Sequence, residues 1–69
     1  MEIQINGERK NLADDSWNIS KLLVVENVKD PEMVSVQLNG EFVTRDKFTA
    51  TVLKPDDQVD FLYFMGGGQ

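Results

Sequence analysis

The sequence predicts an α+β domain in which one short helix packs on one face of a mixed sheet of four or five strands. Two Asn-Gly dipeptides, at residues 6–7 and 39–40, lie next to stretches of alternating apolar and polar residues. That pattern is typical of tight β-hairpins. One apolar stripe with helical spacing lies between the hairpins, and the last apolar strand begins at Val59.

The two hairpins are predicted from their turns and their flanking strands. Residues 3–5 lead into the first turn, and residues 9–12 return from it as a weaker strand. Residues 34–38 and 41–44 flank the second turn and read as clear strands on both sides. Asparagine and glycine both tolerate the positive φ angles that a type I′ turn requires.

A helix is predicted to begin after Asn18, whose side chain can accept a hydrogen bond from a backbone N–H of the first turn. Ile19, Leu22 and Leu23 follow at positions i, i+3 and i+4, so they form one apolar face. Trp17 precedes the cap and is positioned to pack against Leu22.

The helix should be short, because Val24 and Val25 are β-branched and Pro31 prevents further continuation. After the second hairpin, residues 45–51 read as a loop or a single helical turn that Phe48 attaches to the core.

Residues 55–57 form a turn with proline at its favoured second position, and the last strand runs from Val59 to about Phe64. The element order is strand, strand, helix, strand, strand, strand. The first and last strands are then expected at the centre of the sheet, parallel to each other, which is the ubiquitin-like β-grasp arrangement. We expect a β-grasp domain over residues 1–65 and a flexible, glycine-rich tail over residues 66–69.

Composition excludes most catalytic chemistry for this chain. Its 69 residues contain no cysteine and no histidine, so the usual zinc ligands and the commonest general base are missing. The net charge of −5 disfavours nucleic acid and suits a basic protein partner. No signal peptide or membrane segment is visible, which predicts a cytoplasmic protein without a bound cofactor. The acidic residues lack metal-site spacing and are expected to be solvated surface that helps to steer a basic partner.

The glycines at 66, 67 and 68 directly follow the apolar last strand. A frayed chain end would explain them, whereas a phosphate loop would not, since no Lys-Ser/Thr and no helix follow. Glycine has no Cβ, so such a tail can thread a narrow channel in a partner enzyme and present an unhindered carboxylate. Adenylation by ATP would activate that carboxylate, and a sulfur nucleophile could then displace AMP to leave a thiocarboxylate.

Four segments together resemble the ThiS-type sulfur carriers, small ubiquitin-like proteins related to the molybdopterin-synthase small subunit. Residues 1–7 (MEIQING) are similar to the opening strand and turn of the family, and residues 18–23 (NISKLL) to its capped helix, Thr-Val-x-Glu-Leu-Leu. Residues 36–45 (VQLNGEFVTR) resemble the segment VNGEVVPR, which favours the thiamine branch, and residues 52–59 resemble the turn L-x-D-G-D-x-V. The resemblance covers essentially the whole chain.

The resemblance implies a protein cosubstrate and not an enzyme. Its reactive group would be the carboxylate of Gly68, preceded by Gly67 and Gly66. The implied partners are an E1-like adenylyltransferase of the ThiF type, which uses ATP, a sulfur donor protein, and a thiazole synthase of the ThiG type. Some relatives deliver sulfur for cysteine, homocysteine or other products instead, and the sequence leaves this acceptor open.

Two residues depart from the family pattern. Gln69 follows the glycines, so the Gly68 carbonyl is an amide until a C-terminal peptidase removes Gln69; whether Gln69 is the natural end is open. Asp56 stands where the family has glycine, a change that a tight turn tolerates.

The last strand is also expected to carry a docking surface. Leu62 and Phe64 alternate with the side that holds Val59 and should form an exposed apolar pair, with Met65 beside them as a further docking residue. A bulge or a dimer contact that buries the pair is the alternative. Arg45 is either a salt-bridge residue or a contact residue. A non-covalent β-grasp binding module with an inert tail is the competing function.

Overall fold

The computed structural model describes residues 1–13, 16–28 and 31–63, without the side chain of residue 31. The strands are β1 (Glu2–Ile5), β2 (Glu8–Asn11), β3 (Val34–Leu38), β4 (Glu41–Val43) and β5 (Gln58–Tyr63), and the helix is α1 (Ile19–Val25). Two 3₁₀ turns cover Pro31–Met33 and Arg45–Lys47.

The five strands form one mixed sheet in the order β2-β1-β5-β3-β4. The first and last strands are adjacent and parallel, and the other neighbours are antiparallel. This is the predicted β-grasp arrangement. The sheet has five strands, so the return of the first hairpin, which looked weak in the sequence, is a true strand.

Both Asn-Gly dipeptides form the predicted hairpin turns. Asn6 and Gly7 have φ angles of 51° and 86°, and Asn39 and Gly40 have φ angles of 52° and 87°. Positive φ at both central residues defines the type I′ turn, whose twist matches that of the flanking strands. The strand after the second turn ends at Val43, one residue earlier than the sequence predicted.

The cap of α1 is as predicted, because Asn18 Oδ1 accepts a hydrogen bond of 2.7 Å from the Lys21 amide. Ile19, Leu22 and Leu23 are the buried residues of the helix. Trp17 is buried in the same core cluster as Leu22, and the Lys21 ammonium lies 4.5 Å from its ring centroid.

The helix ends at a signal that the sequence analysis did not use. Asn27 has a φ of 60°, and its amide donates to Val24 O while the Val28 amide donates to Leu23 O, both at 3.1 Å. These two bonds are those of a Schellman motif, which satisfies the last carbonyls of the helix. The helix therefore ends before the proline, and Val24 and Val25 are left exposed.

The core lies between α1 and one face of the sheet. The predicted anchor Phe48 belongs to it, at 6% exposure. The buried residues are Ile3, Ile5, Leu12, Trp17, Ile19, Leu22, Leu23, Val34, Val36, Phe48, Leu53, Val59 and Phe61. The opposite face of the sheet, called the outer face below, has no helix over it in the described part of the chain. No helix among the described residues is long and apolar enough to cross a membrane.

Candidate functional site

The residues predicted to carry the chemistry lie outside the described residues. These are the tail residues Gly66, Gly67, Gly68 and Gln69 and the docking residues Phe64 and Met65. The expected boundary between domain and tail, after residue 65, also lies there. What the structure describes is the strand that leads to the tail and the surface around it.

β5 holds the start of the tail in the centre of the sheet. It pairs with β3 over five residues, from Leu38 opposite Val59 to Val34 opposite Tyr63, and with β1 on its other side. The strand is therefore held by main-chain pairing up to its last residue, so the tail starts from a fixed point of the fold.

Both hairpin asparagines bond to β5 through their side chains. Asn6 Oδ1 accepts from the Phe61 amide at 2.8 Å, and Asn39 Oδ1 accepts from the Gln58 amide at 2.9 Å. Each asparagine thus serves its turn and also satisfies a main-chain donor of the strand that carries the tail. The sequence analysis assigned these residues to turns alone.

Leu62 is described and lies on the outer face, because it alternates with the buried residues Val59 and Phe61. Its side chain is 42% exposed, so the described residues do not bury it, in agreement with its predicted exposure. Tyr63 has the same parity as Val59 and Phe61 but is 54% exposed, since the core ends before the end of the strand.

Phe42 is a second exposed apolar residue on the outer face, and the sequence analysis missed it. It lies opposite Gln37 in the β3–β4 ladder, on the side of the sheet away from the buried Val36, and is 66% exposed. The alternation of the second hairpin contained this signal, since Phe42 and Val43 must point to opposite faces.

Phe42 and Leu62 lie on either side of β3, and Ser35 lies opposite Leu62. We call these two residues and the strand between them the Phe42–Leu62 surface. The β1–β2 half of the outer face is polar, with Arg9 Nη1 2.6 Å from Glu2 Oε1. The apolar part of the outer face is therefore confined to β5, β3 and β4.

The acidic residues do not form a metal site within residues 1–13, 16–28 and 31–63, where no three potential ligands come together. Asp57 is more than solvated surface: its Oδ1 accepts from Asn39 Nδ2 at 3.0 Å and its Oδ2 accepts from the Lys54 amide at 2.7 Å. Asp57 thus links the second hairpin to the turn before β5. Asp14 and Asp15 lie outside the described residues.

Arg45 makes a main-chain contact, because its Nη2 donates to the Glu32 carbonyl at 3.0 Å. Next to it, the hydrogen bond from the Thr44 side chain is the main cause that lowers the pKa of Asp46 below its ordinary value. Arg45 and Asp46 therefore both have defined partners at the exit of the second hairpin.

Comparison with known proteins gives consistent matches. A model of the ThiS family matches residues 3–68. The crystal structure of the thiamine biosynthesis protein ThiS from Geobacter metallireducens superposes with a TM-score of 0.88 at 43% identity, covering 99% of this chain and 100% of that one. The solution structure of a thiamine biosynthesis protein from the same organism superposes at 0.82 with 43% identity, covering 100% and 90%.

A thiazole synthase from Magnetococcus marinus is similar to this chain as well. The two are 39% identical over all 69 residues of this chain. The chain spans only 21% of the length of that relative, so the similarity concerns one segment of the larger protein.

Proposed function

Because the chain belongs to the ThiS family, we propose that it is a sulfur carrier of thiamine biosynthesis, a protein cosubstrate on which partner enzymes act. The observation that carries this proposal is the family match from residue 3 to residue 68. That match includes the whole described fold and both glycines at the predicted reactive end. The solved relatives named for thiamine biosynthesis support the same pathway.

The chemistry belongs to the carboxylate of Gly68. One of its oxygens attacks the α-phosphorus of ATP, and pyrophosphate leaves. The resulting acyl adenylate has AMP as a good leaving group, so sulfur from a donor protein can replace it and leave a thiocarboxylate. The fold contributes a fixed starting point for the tail, and glycine contributes a backbone without side chains that fits a narrow channel.

Gln69 must leave before this step, because a peptide amide at Gly68 has no carboxylate to adenylate. The family match ends at Gly68, which supports Gly68 as the working end. We propose a C-terminal peptidase as the processing partner.

The proposed acceptor of the sulfur is a thiazole synthase. Its support is the Magnetococcus marinus thiazole synthase, in which a segment similar to this whole chain is part of the same polypeptide. Cysteine or homocysteine synthesis is the alternative route for the sulfur.

The decisive experiment compares three forms of the protein with a ThiF-type adenylyltransferase, ATP and a sulfur donor, read by intact mass and by ATP–pyrophosphate exchange. The form ending at Gly68 should gain the mass of one sulfur in place of one oxygen. The full-length form and the form lacking Gly67 and Gly68 should not. A thiocarboxylate formed with Gln69 retained would refute the trimming step.

The competing binding module predicts a different outcome in cells. A carrier lacking Gly67 and Gly68 should fail to restore thiamine-independent growth to a host without its own carrier. Growth with that deletion would support a non-covalent module with an inert tail. Growth that needs cysteine but not thiamine would favour the alternative sulfur acceptor.

We further propose that the activating enzyme docks on the Phe42–Leu62 surface, next to Phe64 and Met65. Exposed apolar residues of this kind mark interfaces. Leu62→Asp and Phe42→Asp should each raise the KM for adenylation about tenfold, the effect of losing about 1.4 kcal/mol of binding. Val24→Asp is the matched control, since Val24 is 76% exposed on the helix side. Equal effects of all three variants would refute this surface.

A further inference from the structure

The sheet leaves an open corner beside the start of β3. β3 pairs with β5 from Val34 to Leu38 but with β4 only from Val36 to Leu38. At Val34 and Ser35 the β4 side therefore has no strand neighbour among the described residues, because the chain turns away after Val43 into the 3₁₀ turn Arg45–Lys47.

This corner forms a groove of about 270 Å³. Its lining includes the buried side chains of Val34 and Phe48, the half-buried Val43, and the exposed ring of Phe42. The volume is below the range of sites for drug-sized ligands, which begins at roughly 300 Å³. It suits one or two inserted side chains of a protein partner.

One charged side chain lines the groove, and it is a guanidinium. Arg45 is the only charged residue of the described lining, and its Nη2 bonds to the Glu32 carbonyl, which fixes the group in place. A guanidinium has five N–H donors in a rigid fork that matches a carboxylate. The groove thus combines apolar walls with one positioned cation, in a chain whose net charge is −5.

The groove is continuous with the Phe42–Leu62 surface. Phe42 belongs to both, and Ser35 lines the groove and lies opposite Leu62. A partner that covers Leu62 and Phe42 therefore reaches the mouth of the groove without a change in the fold.

We propose that this groove receives a segment of the activating enzyme in which an apolar side chain is adjacent to a carboxylate, with the carboxylate bound by Arg45. This proposal rests on the proposed function and adds the chemistry of the partner segment. Docking to an acidic surface as a whole favours a basic partner, so the groove specifies the opposite charge at one point and fixes the orientation of the complex.

The test measures ATP–pyrophosphate exchange with the form ending at Gly68 and Arg45→Gln, Arg45→Glu and Lys47→Glu variants. Lys47 is the matched control, an exposed cation close to Arg45 in the chain that does not line the groove. Arg45→Gln should raise KM several-fold and Arg45→Glu at least tenfold, with kcat within twofold. Lys47→Glu should leave both constants within twofold.

The salt dependence separates recognition from a structural role of Arg45. The KM of the unaltered protein should rise with sodium chloride, because salt screens the ion pair, and the KM of Arg45→Gln should rise less. Equal salt dependence in the two proteins, or equal KM increases for Arg45→Glu and Lys47→Glu, would overturn the proposal. So would a concentration-dependent dimer, seen by sedimentation, that Arg45→Glu abolishes.

Failure of the two proposals gives different results. If the protein ending at Gly68 is not adenylated at all, the proposed function fails. If it is adenylated and Arg45→Glu has an unchanged KM, the carrier function stands and the groove proposal alone fails.

Discussion

The two Asn-Gly hairpins are alike as turns and unlike as parts of the fold. Asn6 and Asn39 have the same positive φ, followed by the same glycine conformation, and both side chains accept an amide hydrogen of β5. Asn39 also donates to Asp57, whereas the described residues place no acidic side chain in hydrogen-bonding contact with Asn6. The difference teaches that one local motif can carry different tertiary roles, which depend on what lies across from it.

The largest expected effect comes from Asn39→Asp, which should lower the free energy of unfolding by about 2 kcal/mol at pH 7. A carboxylate at position 39 cannot donate to Asp57, and it places two like charges in contact. Asn6→Asp is the matched control. Its carboxylate still accepts from the Phe61 amide, so the change should stay within about 0.5 kcal/mol. Urea unfolding, followed by the fluorescence of Trp17, measures both.

The exchanged pair Asn39→Asp with Asp57→Asn sharpens that result. An amide at position 57 can donate to the carboxylate introduced at position 39 and still accept from the Lys54 amide, so the double variant should recover most of the lost stability. If the double variant is no more stable than Asn39→Asp, the contact between these two side chains is not the source of the difference.

The turns themselves should respond equally to loss of glycine. Gly7→Ala and Gly40→Ala should each cost about 1 kcal/mol, because an L-residue is disfavoured at positive φ. An added Cβ meets nothing within 4 Å at either position, so the cost is backbone alone. A synthetic protein with D-alanine at the same positions should regain the stability. Costs that differ by more than about 0.5 kcal/mol would show that the hairpins differ as turns too.

The turn bound by the second hairpin offers a smaller, stabilising change. Asp56 has a φ of 70°, and its family counterpart is glycine. Asp56→Gly should therefore raise the free energy of unfolding by about 0.5 kcal/mol, since relief of the strained φ exceeds the added chain entropy. Asp60→Gly, at an ordinary strand position, should instead destabilise. A stability loss at residue 56 would mean that the Asp56 side chain contributes a contact of its own.

The smallest effect is expected at the exit of the second hairpin, where the Thr44 hydrogen bond lowers the pKa of Asp46. A carboxyl whose pKa is lower in the folded state adds stability above its unfolded pKa. That stability is lost as the pH falls through the folded pKa. In Thr44→Val the pKa of Asp46, followed by NMR titration, should move up toward its ordinary value. An unchanged titration would exclude the Thr44 hydroxyl as the cause.

Much of the fold could be predicted because its signals are local. The Asn18 cap, the apolar stripe of α1, both type I′ turns and the proline turn depend on residues within a few positions of one another. The outward position of Leu62 followed from simple alternation along β5. The predicted end of the helix was less accurate, because the decisive Asn27 acts through a left-handed φ that few residue types mark clearly.

By itself, the sequence determined the elements, their order and the glycine end on which the proposed chemistry depends. Only the tertiary structure decided which side chains meet across long separations. Asn6 bonds to the amide of Phe61, 55 residues away, and Asn39 to Asp57, 18 residues away. Phe42, Ser35 and Arg45 come to one corner because β4 ends early against β3. Such contacts follow from strand register and sheet order, which fix positions in space that spacing along the chain does not contain.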